Sequence, residues 1–185
     1  MSLQHATRLR LGLCALATLA VLGMLLQEHL NGGVQSHHFL HRADMPAISN
    51  AWSALLLPVL TWFMTGRIHQ RMIQDANRET LALKDAWPAF AGFLAALLFG
   101  VLLSTAFTQD YKSLSGYLFR GMLLLAIVLP LYRAQYLLGF VWGMSATFGA
   151  VLPAVVGALV ASLSAVLHVC AYPYVMRLWT RFKPV

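Results

Sequence analysis

The chain has 185 residues, of which 59% are hydrophobic and only 10% charged, with a formal net charge of +7. A soluble domain carries roughly 25% charged and about 45–50% apolar residues, so this composition excludes an ordinary water-soluble globule and makes lipid the expected solvent. The basic residues form no basic and aromatic stretch of the kind that binds nucleic acid, and Cys14 and Cys170, far apart inside apolar runs, read as small core residues.

Lipid offers no partner for a bare amide, so each crossing must be a helix or part of a closed barrel. The apolar runs are near-continuous rather than alternating, which selects helices. The first predicted span covers residues 9–27. It follows Arg8 and Arg10 and leads into Glu28, His29 and Leu30 rather than a small-residue cleavage site, so it reads as a retained helix, not a removed leader.

A polar island follows. Residues 28–50 hold four of the seven histidines and two of the six acidic residues. With Ser36 as a cap and Pro46 as a stop, a short helix is expected here, and residues three and four apart share a helix face. His41 then lies near both His37 and His38, and Glu28 or Asp44 completes a candidate divalent-metal site. The spacing His-His-x-x-His resembles part of a membrane desaturase or hydroxylase box, but those enzymes use several such boxes facing the cytoplasm. The plainer alternative is a solvated loop at head-group level. Arg42, Ser49 and Asn50 supply a guanidinium, a hydroxyl and an amide suited to a phosphate or carboxylate head group. The same residues also fit an Arg42–Asp44 pair and a helix cap.

The second span is expected over residues 48–66, capped by Ser49 or Asn50 and kinked at Pro58. Arg67 to Lys84 reads as a charged connector, with an extension of the second helix along the membrane surface as the alternative. The third span covers 87–108, with Asp85 as a cap and Pro88 in the first turn. It carries Gly92, Ala96, Gly100 and Ser104 on one face, a small-residue stripe suited to close helix packing. The fourth covers 114–132. Arg120 lies about one turn inside it, where a charge must snorkel or find a partner such as Glu28, Asp44 or Asp110.

No charge separates Gln135 from Arg177. One helix of that length would reach roughly 60 Å, about twice the hydrocarbon thickness, so the chain must reverse, and Gly149 and Pro153 mark the place. The fifth span is therefore 135–151, with Gly139, Gly143 and Thr147 in a stripe, and the sixth is 154–176, with Gly157, Ala161 and Ala165. His168 is the ionisable group deep in the sixth span. It is expected to face the bundle, bonded to a Ser or a backbone carbonyl, or to relay protons.

The expected architecture is an all-α integral membrane protein, a single six-helix transmembrane domain over 1–185 with cytoplasmic N- and C-termini. That orientation places most Lys and Arg in the cytoplasmic segments and the histidine island outside an inner (plasma) membrane. The functional expectation is binding of a divalent metal or a polar, anionic head group at the outer face, with transport as an extension. Two alternatives stand beside it: a non-catalytic subunit or assembly factor whose stripes meet a partner helix or a second copy, and a metal-dependent enzyme acting on lipid.

Overall fold

A computed structural model describes residues 3–38, 47–76 and 82–181. In chain order it contains α1 (Leu3–Leu30), β1 (Ser36–His38), β2 (Ala47–Ser49), a 3-10 turn (Asn50–Trp52), α2 (Ser53–Ala76), α3 (Leu83–Thr108), α4 (Lys112–Val128) and α5 (Ala134–Phe148). A last rod begins as α6 (Val151–Ala165), widens into a π turn (Val166–Ala171) and ends as α7 (Tyr172–Arg181). The described chain is thus overwhelmingly helical. Four stretches are long and apolar enough to cross a membrane: His5–Leu30, Asn50–Ala76, Lys84–Thr108 and Val151–Tyr174. The other two rods fall at the predicted fourth and fifth spans but are shorter, with 17 residues in α4 and 15 in α5. At 1.5 Å per residue they reach about 25 and 22 Å, against a hydrocarbon thickness of about 30 Å.

Several boundaries differ from the sequence expectation for local reasons. The stretch after residue 66 continues α2 to Ala76 instead of forming a connector. Pro58 lies inside α2 without ending it. Asp85 does not stand at the N-cap of α3; three residues into the helix region, its carboxylate accepts the Ala82 N–H at 2.8 Å. Ser49 does cap as expected, its hydroxyl accepting the Ala51 N–H at 3.2 Å, although the element it starts is the 3-10 turn. Leu129 is extended (φ −106°, ψ 143°) and ends α4, because the residue before a proline is driven out of the helical region. The reversal at Gly149 is tight: φ is +65°, a conformation glycine adopts without steric cost, and α6 starts two residues later.

The bundle is organised around α5. Gly139 and Gly143 lie directly on the Phe93 and Leu97 carbonyls of α3, so close that an added Cβ would fall inside 3.0 Å at each. Gly100 faces the Phe140 carbonyl, with 2.8 Å left for a Cβ. A hydrogen bond from the Ser104 hydroxyl to that of Thr147 closes the seam. The stripes predicted on the third and fifth spans therefore meet each other, and their role is close backbone packing. On the opposite side, Gly157 of α6 makes room for Leu137 and Phe140.

Two apolar cores flank α5. Leu103, Met122, Ala126, Phe140, Met144 and Val160 fill the space between α3, α4, α5 and α6. Val21, Leu57, Val141 and Ala150 join α1 and α2 to α5. Arg10 pins α1 to α2: its guanidinium carbon lies 3.9 Å from the Trp62 ring centroid, and Nη2 donates to the Trp62 carbonyl at 2.9 Å. It crosses α2 at Gly66, where any Cβ would meet it at 2.7 Å.

These contacts alternate the helices up and down. Glu28, Asn50, Gly149 and Lys112 gather at one end, which we call the upper end. Arg10 with Gly66, Gly92 with Gln135, and Ser164 with Leu129 gather at the lower end.

Candidate functional site

The upper end begins with a polar knot. Asn50 is 4% exposed, and its amide donates to one Glu28 carboxylate oxygen at 2.6 Å. The other carboxylate oxygen accepts the Gln35 N–H at 3.0 Å, and the Gln35 carbonyl accepts the Asn50 N–H at 2.9 Å. One turn on, the buried Ser53 hydroxyl accepts the Ala150 N–H at 2.8 Å. The Asn50 side-chain oxygen lies against Gly149, which has no Cβ to displace it. A buried amide and a carboxylate need such partners. Together they hold the α1–α2 crossing, the α5–α6 turn and the start of α2 in one place.

Beside the knot, α3, α4, α5 and α6 part to form a cleft of 1070 Å³, at the upper limit of the roughly 300–1,000 Å³ typical of ligand sites. Below it, α4 packs on the α3–α5–α6 core through the buried Met122 and Ala126. The walls of the cleft are of two kinds. The mouth carries Gln35, Thr108, Asp110, Lys112, Ser115 and Thr147. Phe107 and Phe148 meet edge to face at the same upper level, and below them the wall is apolar, with Leu103, Met144 and Val156, and Phe140 at the floor.

Charge is concentrated at the mouth. Lys112 Nζ lies 3.6 Å from an Asp110 carboxylate oxygen, and both side chains are largely in the open. Asp110 takes φ 55° to make the short α3–α4 turn, a conformation that Asp tolerates better than most residues. Tyr111 stands at the N-cap of α4 and makes no side-chain cap; the first amide, of Lys112, donates to the Asp110 carbonyl at 2.8 Å. A helix start of this kind, beside an ammonium, attracts phosphate or carboxylate.

The predicted site residues do not form one constellation. Glu28, Ser49 and Asn50 are brought together or adjacent at the upper end, where Glu28 and Asn50 bond to each other and Ser49 caps. The short helix expected from Ser36 is not formed: Ser36–His38 is a strand paired antiparallel with Ala47–Ser49, His37 opposite Ile48 and His38 opposite Ala47. The helical face that would bring His37 and His38 to His41 runs on into residues 39–46, which lie outside the described residues. His41, Arg42 and Asp44 lie outside the described residues. Among the described residues, no three His, Cys, Asp or Glu side chains converge on a point. The strand carrying His37 and His38 begins one residue after Gln35, so the histidine segment starts at the rim of the cleft.

Arg120 snorkels. Its Nε donates to the Gly116 carbonyl one turn back at 3.0 Å, and its guanidinium lies 5.1 Å from the Tyr117 ring centroid. A helical side chain leans toward the N-terminus of its helix, which carries the charge toward the upper end.

His168 is at the other end of the molecule. Its Nδ1 lies 2.9 Å from the Ser164 carbonyl; a carbonyl only accepts, so Nδ1 carries the hydrogen. Ser164, fully buried, accepts the Leu131 N–H and donates to the Leu129 carbonyl, both at 3.0 Å. The Tyr172 hydroxyl donates to the Ile127 carbonyl. Ser164 of α6 and Tyr172 of α7, on either side of the π turn, thus sew the last rod onto the C-terminal end of α4, where the last carbonyls of a helix have no intrahelical partner. Pro173 stands two residues after the end of this turn, and a proline leaves the carbonyl four residues back, that of Val169, without its amide.

Lys112, Asp110, Thr147 and Met144 escaped the sequence reading as site residues. The signal was there for two of them: an Asp-Tyr-Lys run between predicted spans. Nothing in the sequence told which spans border the same gap. No family model, no curated protein and no solved structure matches the chain.

Proposed function

We propose that this protein binds a single amphiphile, with a phosphate-bearing polar head at the upper mouth and an apolar tail in the body of the cleft. The observation that carries the proposal is the division of one 1070 Å³ cleft into a charged rim and an apolar interior. Lys112 and the uncapped start of α4 suit a phosphate, and Asp110 beside Lys112 suits a cationic group on the same head. An apolar interior of this length retains a tail and offers little to a hydrated ion, which favours holding or handling a lipid over conducting a charged solute.

The proposal includes a topology: six crossings of an inner membrane, both termini cytoplasmic and the cleft mouth outside. Its support is the up-and-down alternation of all six rods, together with Arg8, Arg10, Arg67, Arg71, Lys84, Arg133, Arg177 and Arg181 at or near the lower end. On this topology the histidine segment stands on the outer rim, next to the head group, where the sequence reading placed a head-group site.

The test is binding of n-alkylphosphocholines to the purified full chain in a non-ionic detergent, followed by native mass spectrometry. Saturable one-to-one binding is expected. Lys112→Glu should weaken it about fivefold, the equivalent of ~1 kcal/mol for an exposed charge, and Val156→Trp, which fills the body, should abolish it. Binding that is absent, or unaffected by Val156→Trp, overturns the proposal.

A further inference from the structure

Resting on the proposed tail site, we infer that Phe140 is a chain-length stop: it sets how long a tail the cleft accepts. The observation is a second cleft, of 160 Å³, directly below the first. It is lined by a different turn of each of the same four helices. The upper cleft uses residues 103–108 of α3, 112–119 of α4, 144–148 of α5 and 152–156 of α6. The lower one uses 95–99, 122–129, 136–137 and 157–161. Phe140 is the residue that lines both.

The two clefts are therefore one seam interrupted at a single level. At that level the core residues Leu103, Met122, Phe140 and Val160 close the gap, and Phe140 is 6% exposed. From Lys112 to Leu129, α4 spans about 25 Å at 1.5 Å per residue. An uninterrupted seam of that length would pass the bilayer midplane, which lies about 15 Å from the surface of a hydrocarbon layer about 30 Å thick. The interruption instead keeps the tail within the upper part of the bundle. The chemistry below the stop suits more tail and nothing else: Ala95, Leu125, Leu129, Gly157 and Ala161 are apolar or small.

Gly157 explains why the ring sits where it does. A Cβ at that position would meet Leu137 Cδ1 at 2.6 Å and the Phe140 ring at 3.2 Å. The glycine leaves the space into which α6 admits the Phe140 side chain. The volume below the stop gives a magnitude. A cavity of about 150 Å³ holds one benzene, so opening the lower cleft adds room for about six carbons.

The experiment measures affinity of the full chain for a homologous series of n-alkylphosphocholines. For the parent, affinity should rise with tail length and then stop rising. Phe140→Ala should move that plateau about six carbons longer, and Phe140→Leu should move it by less. Adding Ala161→Phe to Phe140→Ala, which refills the lower cleft, should restore the parent plateau. Met144→Phe keeps Phe140 and raises the floor of the upper cleft, so it should shorten the plateau even if Phe140→Ala does not fold. A plateau unchanged by the Phe140 variants, or by Met144→Phe where they do not fold, overturns the stop and leaves the tail site standing. No saturable binding to the parent at any length overturns both.

Discussion

Two glycine-to-alanine exchanges in the same bundle should change stability in opposite directions. Gly143→Ala adds one methyl group to α5 at a point where its Cβ would collide with the Leu97 carbonyl and lie 3.0 Å from Gly100 Cα. Gly121→Ala adds the same methyl to α4 where nothing lies within 4 Å. In both helices alanine gains about 1 kcal/mol of intrinsic propensity. At Gly143 the obstacle is α3 backbone at Leu97, Gly100 and Val101, so no flexible side chain can yield, and α3 and α5 must separate. Overpacking of this kind costs about 1–3 kcal/mol, and rigid neighbours place it at the upper end, giving a net loss of ~2 kcal/mol after the propensity gain. Gly121→Ala should gain about 0.5–1 kcal/mol. The assay is thermal unfolding of each purified variant in the same detergent, followed by size-exclusion recovery. Equal midpoints for the two variants, or a Gly143→Ala protein as stable as the parent, would refute the account of α3–α5 packing.

Three further outcomes are expected. Glu28→Ala and Asn50→Ala should each cost about 1.5–3 kcal/mol, the range for a hydrogen bond to a charged group, and the double variant should cost less than their sum in a denaturation cycle; additive losses would show that the knot is not a unit. Ser164→Ala should lower stability by about 2 kcal/mol, since it orphans a buried N–H and a buried carbonyl at once, while leaving alkylphosphocholine binding intact; a loss of binding without a loss of stability would contradict its role as a stitch. In a background with Cys14 and Cys170 replaced by Ser, cysteines at Gln35 and Lys112 should react with an impermeant maleimide from the outside of intact cells, and cysteines at Lys84 and Arg133 only after lysis. Both pairs reacting from the same side would end the six-crossing topology.

Much of the architecture was legible because lipid imposes a simple rule. A chain this apolar favours helices, and four of the rods reach membrane length; the approximate positions of the six rods follow from where charge, Gly and Pro interrupt the apolar runs. Gly149 also announced its turn, since it acts through its own backbone, whereas the fourth span was expected to run past Pro130, before which α4 ends. The stripes Gly92–Gly100 and Gly139–Gly143 announced close packing, but not with each other. The end of α2 was misjudged because Arg67 to Ala76 is polar, and polarity says nothing against a helix that continues into water. Ser36–His38, where the expected short helix was to begin, is a strand because its pairing partner, Ala47–Ser49, lies across a gap in the sequence that spacing rules do not bridge.

By itself, then, the sequence determined an all-helical, apolar chain and the approximate positions of its rods, because those depend on hydrophobicity and local backbone preference. It also identified Glu28 and Asn50 as residues of interest, without showing that they serve each other. Only the tertiary structure decided which helices touch, where α4 stands off from its neighbours, and that Phe140 divides the resulting seam. A cleft is the space that four distant segments leave unfilled, and a space has no residue of its own to read.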